Sequence, residues 1–179
     1  MGKRVGFGPR FVATLIDAAV VAVVGFVAGA AIGGVLGGWI GGALGGSGGV
    51  GASSGAVGAA VGAVLGVVAA FGGFVFLYSL IEAFTGASPG KMFLGLKVGT
   101  DDGRRGSSTL YVKRWTVKYS GSILSLAAVL PGLSVLALAA PVAGAVVFVG
   151  CFLVLGVERQ ALHDMAAKTA VFRKADLLP

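Results

Sequence analysis

Residues 33–49 read GGVLGGWIGGALGGSGG, and around them glycine recurs at 25, 29, 33, 37, 41, 45 and 49. An unbroken interval of four is helical rather than linker-like, because residues four apart lie along nearly one face of a helix. Gly25, Gly29, Gly33, Gly37 and Gly41 would there form a smooth groove, and Gly58, Gly62 and Gly66 would form a second one further along. In lipid, faces of small residues associate because their backbones can approach closely. The reading is a tight antiparallel hairpin of two membrane helices, glycine face against glycine face. Two alternatives stay open: a groove that faces another copy of the chain, or a glycine-rich loop, which suits residues 46–55 (GSGGVGASSG) better than residues 25–41.

Composition sets the medium. Of 179 residues, 56% are hydrophobic and only 12% charged, about half the usual charged share. No charged side chain occurs from Ala18 to Ile81 or from Tyr119 to Val157. One helical crossing takes about 20 apolar residues, so both runs exceed a single crossing. An integral membrane protein follows. The net charge of +7 belongs to this picture and not to nucleic-acid binding, since the basic residues flank the apolar runs. Residues 85–118 hold seven basic and two acidic side chains, and residues 43–57 hold neither. By the positive-inside bias, both termini and the loop 85–107 are expected in the cytoplasm and the glycine turn outside.

The expected fold is all-α. Helices span about 9–42, 56–84, 108–130 and 133–156, forming one membrane domain over 1–179 with a tail from 157 to 179. Three spans with the tail outside is the alternative. Pro9 suits a first helical turn, and TGASPGK (85–91) is a turn. KMFLGLKVG (91–99) reads as a short strand and DDGRRG (101–106) as a tight turn. Tyr111, Trp115 and Tyr119 stand four apart beside Lys113, Arg114 and Lys118, so the third helix should start at the membrane interface. Pro131–Gly132 ends it, and Pro141 is expected to bend the last helix.

Charges within spans are costly and mark function or a specific partner. Asp17 is the clear case, and Arg114 or Lys91 is a plausible partner. Arg10 lies roughly 10 Å nearer the cytoplasm on the same helix face, at 1.5 Å per residue. A polar cluster of Arg10, Asp17, Lys91, Arg114 and Asp164 is therefore expected, with Arg10 a candidate partner of Asp164. Asp17 could bind a cation or proton, or merely tie helix 1 to a neighbour.

RFVATLIDAAV (10–20), ASPGKMFLGLKV (87–98) and ALHDMAAKTAVF (161–172) together resemble the RDD family of small bacterial and archaeal membrane proteins. That family is named for an arginine opening the first membrane helix, an aspartate within it and a later aspartate, matched here by Arg10, Asp17 and Asp164. Its Thr-Pro-Gly-Lys turn and Gly-Leu-Arg-Val segment correspond to Ser88-Pro89-Gly90-Lys91 and Gly95-Leu96-Lys97-Val98. Arg114 sits where an arginine usually follows, and His163-Asp164 precede Ala167-Lys168-Thr169, a departure at Lys168 from the usual Ala-Gly-Thr. The resemblance implies a prokaryotic cytoplasmic-membrane protein with a suspected role in transport. An oligomeric transporter or ion-coupled carrier is one expectation; a scaffold or accessory subunit of a larger membrane complex is the other.

Other chemistry lacks its residues. GASPGKM lacks the G-x-x-x-x-G-K-[ST] spacing of a phosphate-binding loop. His163 is the only histidine and Cys151 the only cysteine, so neither a zinc site nor a disulfide is expected within the chain. His163 and Asp164 are adjacent and diverge on a helix, so no Ser–His–Asp triad can be argued. Neither enzymatic activity nor a cofactor is expected, and the expected partners are the lipid bilayer and other copies or subunits.

Overall fold

The computed structural model describes residues 3–45 and 52–178. The chain is mostly helical and divides into two compact units, residues 16–79 and residues 1–15 with 80–179.

The first unit consists of the bodies of two long helices, α1 (Phe7–Gly45) and α2 (Ala52–Thr85). In water so many glycines would weaken a helix by about 1 kcal/mol each relative to alanine. In hydrocarbon the balance reverses, because every backbone N–H and C=O must be satisfied internally. Both helices are accordingly longer than the sequence pattern indicates, and residues 52–55, expected in the turn, form the start of α2.

The helices run antiparallel. A Cβ added at Gly25 would stand 2.9 Å from the Phe74 ring, at Gly33 2.5 Å from Val67 Cα, and at Gly37 2.6 Å from the Gly62 carbonyl oxygen. At Gly66 it would meet the Gly37 backbone nitrogen at 2.5 Å, whereas Gly34, Gly38 and Gly42 face open space. Gly29 meets Phe71 at ordinary contact distance, 3.5 Å. The surroundings of Gly41 and Gly58, and the residues of the turn between the helices, lie outside the described part. The outward side is bare hydrocarbon, with Phe26, Val27 and Trp39 all well exposed. Asp17 accepts a hydrogen bond from Tyr78 Oη at 2.7 Å, a polar tie from α1 to α2.

The second unit gathers the N-terminal segment and everything from the end of α2 onward. The five-residue α3 (Pro89–Phe93) opens on Pro89, whose missing N–H costs nothing there, and leads into β1 (Leu96–Thr100). The strand therefore starts five residues later than expected. The tail carries structure that the sequence did not suggest: α7 (Leu162–Ala166) and β2 (Thr169–Arg173). β1 and β2 pair antiparallel with Val98 opposite Val171. Val5 N–H donates to the Val171 carbonyl at 2.8 Å, so the N-terminal segment joins the same small layer. Val5, Leu96, Val98, Tyr111 and Val171 bury one core here. Gly86, at φ +74°, lies under the Tyr111 ring, a conformation and a closeness that exclude a side chain.

The single helix expected over 108–130 is instead two, α4 (Ser108–Lys118) and α5 (Ser120–Ala127), parted at Tyr119. Tyr119 departs from helical geometry at φ −105°, ψ 18°, while Ile123 N–H still bonds its carbonyl. Turns follow to α6 (Leu136–Cys151), which contains Pro141 and continues as a 3-10 turn, Phe152–Leu155. α5 packs closely on α6, where a Cβ on Gly121 would stand 2.9 Å from the Ala140 carbonyl. Among the described residues three helical stretches are long and apolar enough to cross a membrane: Phe7–Trp39, Ala60–Thr85 and Leu136–Leu155.

Candidate functional site

The site is a buried ionic network assembled from five elements of the second unit. Arg114, on the inner face of α4, is its hub and is 3% exposed. Its Nη1 donates to Glu82 Oε1 at 2.6 Å and its Nε to Asp164 Oδ1 at 2.6 Å. Glu82, near the end of α2, also accepts from the Lys91 ammonium of α3, and its Oε2 accepts from Lys118 Nζ at 2.5 Å. Asp164, fully buried at the start of α7, accepts from Arg10 Nη1 at 2.5 Å and from the Ala161 backbone N–H at 3.3 Å. Arg10 is held in turn by the Val5 and Arg159 carbonyls, at 3.0 and 2.8 Å. Thr169 Oγ1 donates to the Asp164 carbonyl, and Gln160 Nε2 to the Thr169 carbonyl, so β2 fixes the turn that presents Asp164.

His163 completes the ring of contacts, with its Nε2 3.0 Å from Arg114 Nη2. A guanidinium has donors only, so Nε2 must be the acceptor and the proton must sit on Nδ1. That Nδ1–H is buried and has no hydrogen-bond partner among the described residues. Burial first, and then the Arg114 charge, push the His163 ring down to about 3, which keeps it neutral. Burial alone would raise the Asp164 carboxyl; Arg114 and Arg10 overcome it and hold the group well below the usual carboxylate range. Lys91 goes the other way: burial lowers it to about 8, more than Glu82 restores.

Four cations here share two carboxylates, Glu82 and Asp164. Beside them lies a cavity of about 350 Å³ whose lining includes four phenylalanines, Phe7, Phe11, Phe148 and Phe152, together with Arg10, Lys91, Arg114, Lys118 and His163. Such an arrangement can hold a negatively charged group in a low-dielectric setting, where charge interactions are strong.

Of the residues singled out in the sequence, Arg10, Lys91, Arg114 and Asp164 converge on this network. Asp17 belongs to the other unit, where Tyr78 is its donor; the carboxylates that Arg114 and Lys91 hold are Glu82 and Asp164. Glu82, Lys118 and His163 were not expected as members. Glu82 carried a signal all the same: it is the first charge after the long uncharged run, which puts a carboxylate at the end of a membrane helix.

The family model described as the RDD family matches residues 4–168, a stretch that takes in Arg10, Glu82, Arg114 and Asp164 and stops short of β2. No curated protein and no solved structure matches the chain. With nearly its whole length covered by that one model, this chain belongs to the RDD family.

Proposed function

We propose that this RDD-family protein is a four-span component of a prokaryotic cytoplasmic membrane that works, as an oligomer, as a carrier. α1 and α2 form a glycine-zipper hairpin, and both termini and residues 85–107 lie in the cytoplasm. The small sheet supports the span count. β1 comes from the middle loop, β2 from the tail and Val5 from the N-terminal segment, and their pairing supports placing all three on one side of the membrane. An even number of crossings must then separate β1 from β2. α6 is one, and the other is the uncharged stretch 119–135, in which α5 supplies eight helical residues packed on α6; three spans would carry the tail to the opposite side.

The observation that carries the carrier reading is a cluster of four cations on two buried carboxylates, Lys91 and Arg114 buried and Arg10 and Lys118 half-buried, beside a cavity at the ends of apolar helices. Ionisable groups so placed are expensive and are kept where charge is bound or moved. Binding and movement are the proposed activities, with no covalent chemistry. Four short helices leave a monomer little room for a pathway, which favours assembly of several copies. The test is reconstitution into proteoliposomes with current recorded on a supported membrane. The reading expects substrate-dependent charge movement that Arg114→Gln abolishes; the absence of any flux from folded protein across a panel of ions and organic anions would overturn it.

The Tyr78–Asp17 hydrogen bond favours a second reading, a non-transporting scaffold or accessory subunit, in which the polar groups only tie helices together. Asp17→Asn distinguishes the two. In the scaffold case it lowers thermal stability alone. If Asp17 binds a coupling cation, the folded variant stops moving charge.

A further inference from the structure

The charge balance of the network is unusual for a purely structural one. Buried charges are ordinarily paired, because an uncompensated one costs several kcal/mol. Among the described residues the buried Lys91 and Arg114 and the half-buried Arg10 and Lys118 are set against only Glu82 and Asp164, so the surplus positive charge sits on the two half-buried side chains. All four cations line the same cavity. His163, also in its lining, is neutral with its Nε2 already bonded to Arg114, and its buried Nδ1–H has no partner among the described residues, so the histidine adds no negative charge. Burial lowers Lys91 to about 8, and the one carboxylate it touches, Glu82, does not restore it. The same lining holds four phenylalanine rings, Phe7, Phe11, Phe148 and Phe152, and Phe7 stacks on Phe11 with ring centroids 5.5 Å apart. At about 350 Å³ the cavity is of the size that takes small ligands.

We infer that this cavity binds an amphipathic anion, its carboxylate or phosphate head held by Lys91, Lys118 and Arg10, and its apolar part against the phenylalanine rings of the lining. An inorganic anion would leave the aromatic rings unused, and a neutral amphiphile would leave the surplus charge unbalanced. Two sources share this chemistry: the headgroup and upper chain of an anionic membrane lipid, and a free long-chain carboxylate. The site is independent of whether the protein transports, since occupancy can be read at equilibrium with no gradient present.

The experiment is a thermal-shift and native-mass-spectrometry titration of the full chain in a neutral maltoside detergent. The probes are phosphatidylglycerol, decanoate, decanol and inorganic phosphate. A saturable stabilisation by phosphatidylglycerol, by decanoate or by both supports the inference and identifies the source; decanol and phosphate alone should give none at the same concentrations. Lys118→Met removes one surplus cation while leaving Glu82 with Lys91 and Arg114, and Phe148→Ser opens the aromatic lining. Each should weaken the anionic probe at least tenfold. A Lys118→Arg control should restore binding, which a mere loss of stability would not explain. No saturable shift with either anionic probe, an equal response to decanol, or unchanged affinity in both variants would overturn the site. Absence of flux with binding intact would instead count against the carrier reading alone.

Discussion

Asp164 has no contact with solvent and accepts from two guanidinium groups and a backbone N–H. Removing its charge leaves Arg10 and Arg114 without their shared acceptor, and breaking a buried pair in this way typically costs ~3–5 kcal/mol. Asp164→Asn should therefore lower the melting temperature strongly and reduce the yield of folded protein; a loss below about 1 kcal/mol would show that the network contributes little. His163 gives a pH signature. Its folded-state value, about 3, lies below the ordinary 6.5. Its contribution is thus fully present above pH 6.5 and falls away as the pH drops toward 3. In that window the unfolded chain binds one more proton, a slope of about 1.4 kcal/mol per pH unit. His163→Gln should flatten the acid limb of the stability profile between about pH 6.5 and pH 4 by that one-proton slope, measured by melting curves across buffers. The resemblance picked out Arg10, Arg114 and Asp164 because the family motifs name them. Glu82 is not legible as a member, because sequence alone does not reveal that Lys91 and the Arg114 and Lys118 of α4 turn toward the same helix end.

At the level of elements, the glycine interval of four is directly legible because a helix converts spacing into a face. Which face packs is settled by contacts: Gly33 and Gly66 meet backbone, Gly34 and Gly38 meet nothing. Gly33→Leu should force α1 and α2 apart and lower thermal stability in detergent by several degrees, whereas Gly34→Ala should be neutral or slightly stabilising, helix propensity favouring alanine by up to about 1 kcal/mol. Equal effects from the two substitutions would return the series to an unspecific glycine-rich run. The break at Tyr119 was less legible. Nothing in YVKRWTVKYSGSILSL marks an end, and the change from α4 to α5 falls where Arg114 and Lys118 are anchored by Glu82 while Gly121 is drawn onto α6. The tail was hidden for a related reason. TAVFR (169–173) is too short to announce a strand, and its burial depends on β1, which lies far away in sequence.

For the whole molecule, the proposed topology makes a two-sided prediction. A cysteine introduced at Ser53, in a Cys151→Ser background, should react with an impermeant thiol reagent added to intact cells. One at Asp102, an exposed turn residue, should react only after the membrane is opened. The reverse pattern would invert the topology, and labelling of Asp102 and a tail position from opposite sides would restore the three-span alternative. Charge distribution carried this part of the reading: seven basic residues against two acidic in 85–118 is a strong bias. The tail, with four basic and three acidic residues after Val157, carries almost none. The strand pairing is what supports the proposal that the tail lies on the same side.

That pairing also orders events during synthesis. β1 leaves the ribosome well before β2, because α4, α5, α6 and α7 are all translated between them. Until Asp164 and β2 emerge, Arg114 has Glu82 as its one carboxylate within the network and Arg10 has none there. The nascent chain must therefore wait with these basic side chains short of a carboxylate, and residues 164–173 supply the latch when they emerge. A chain stalled or clipped before residue 164 would be fully inserted yet unlatched, an obvious substrate for membrane proteases. Its half-life in a pulse-chase should fall well below that of the complete chain.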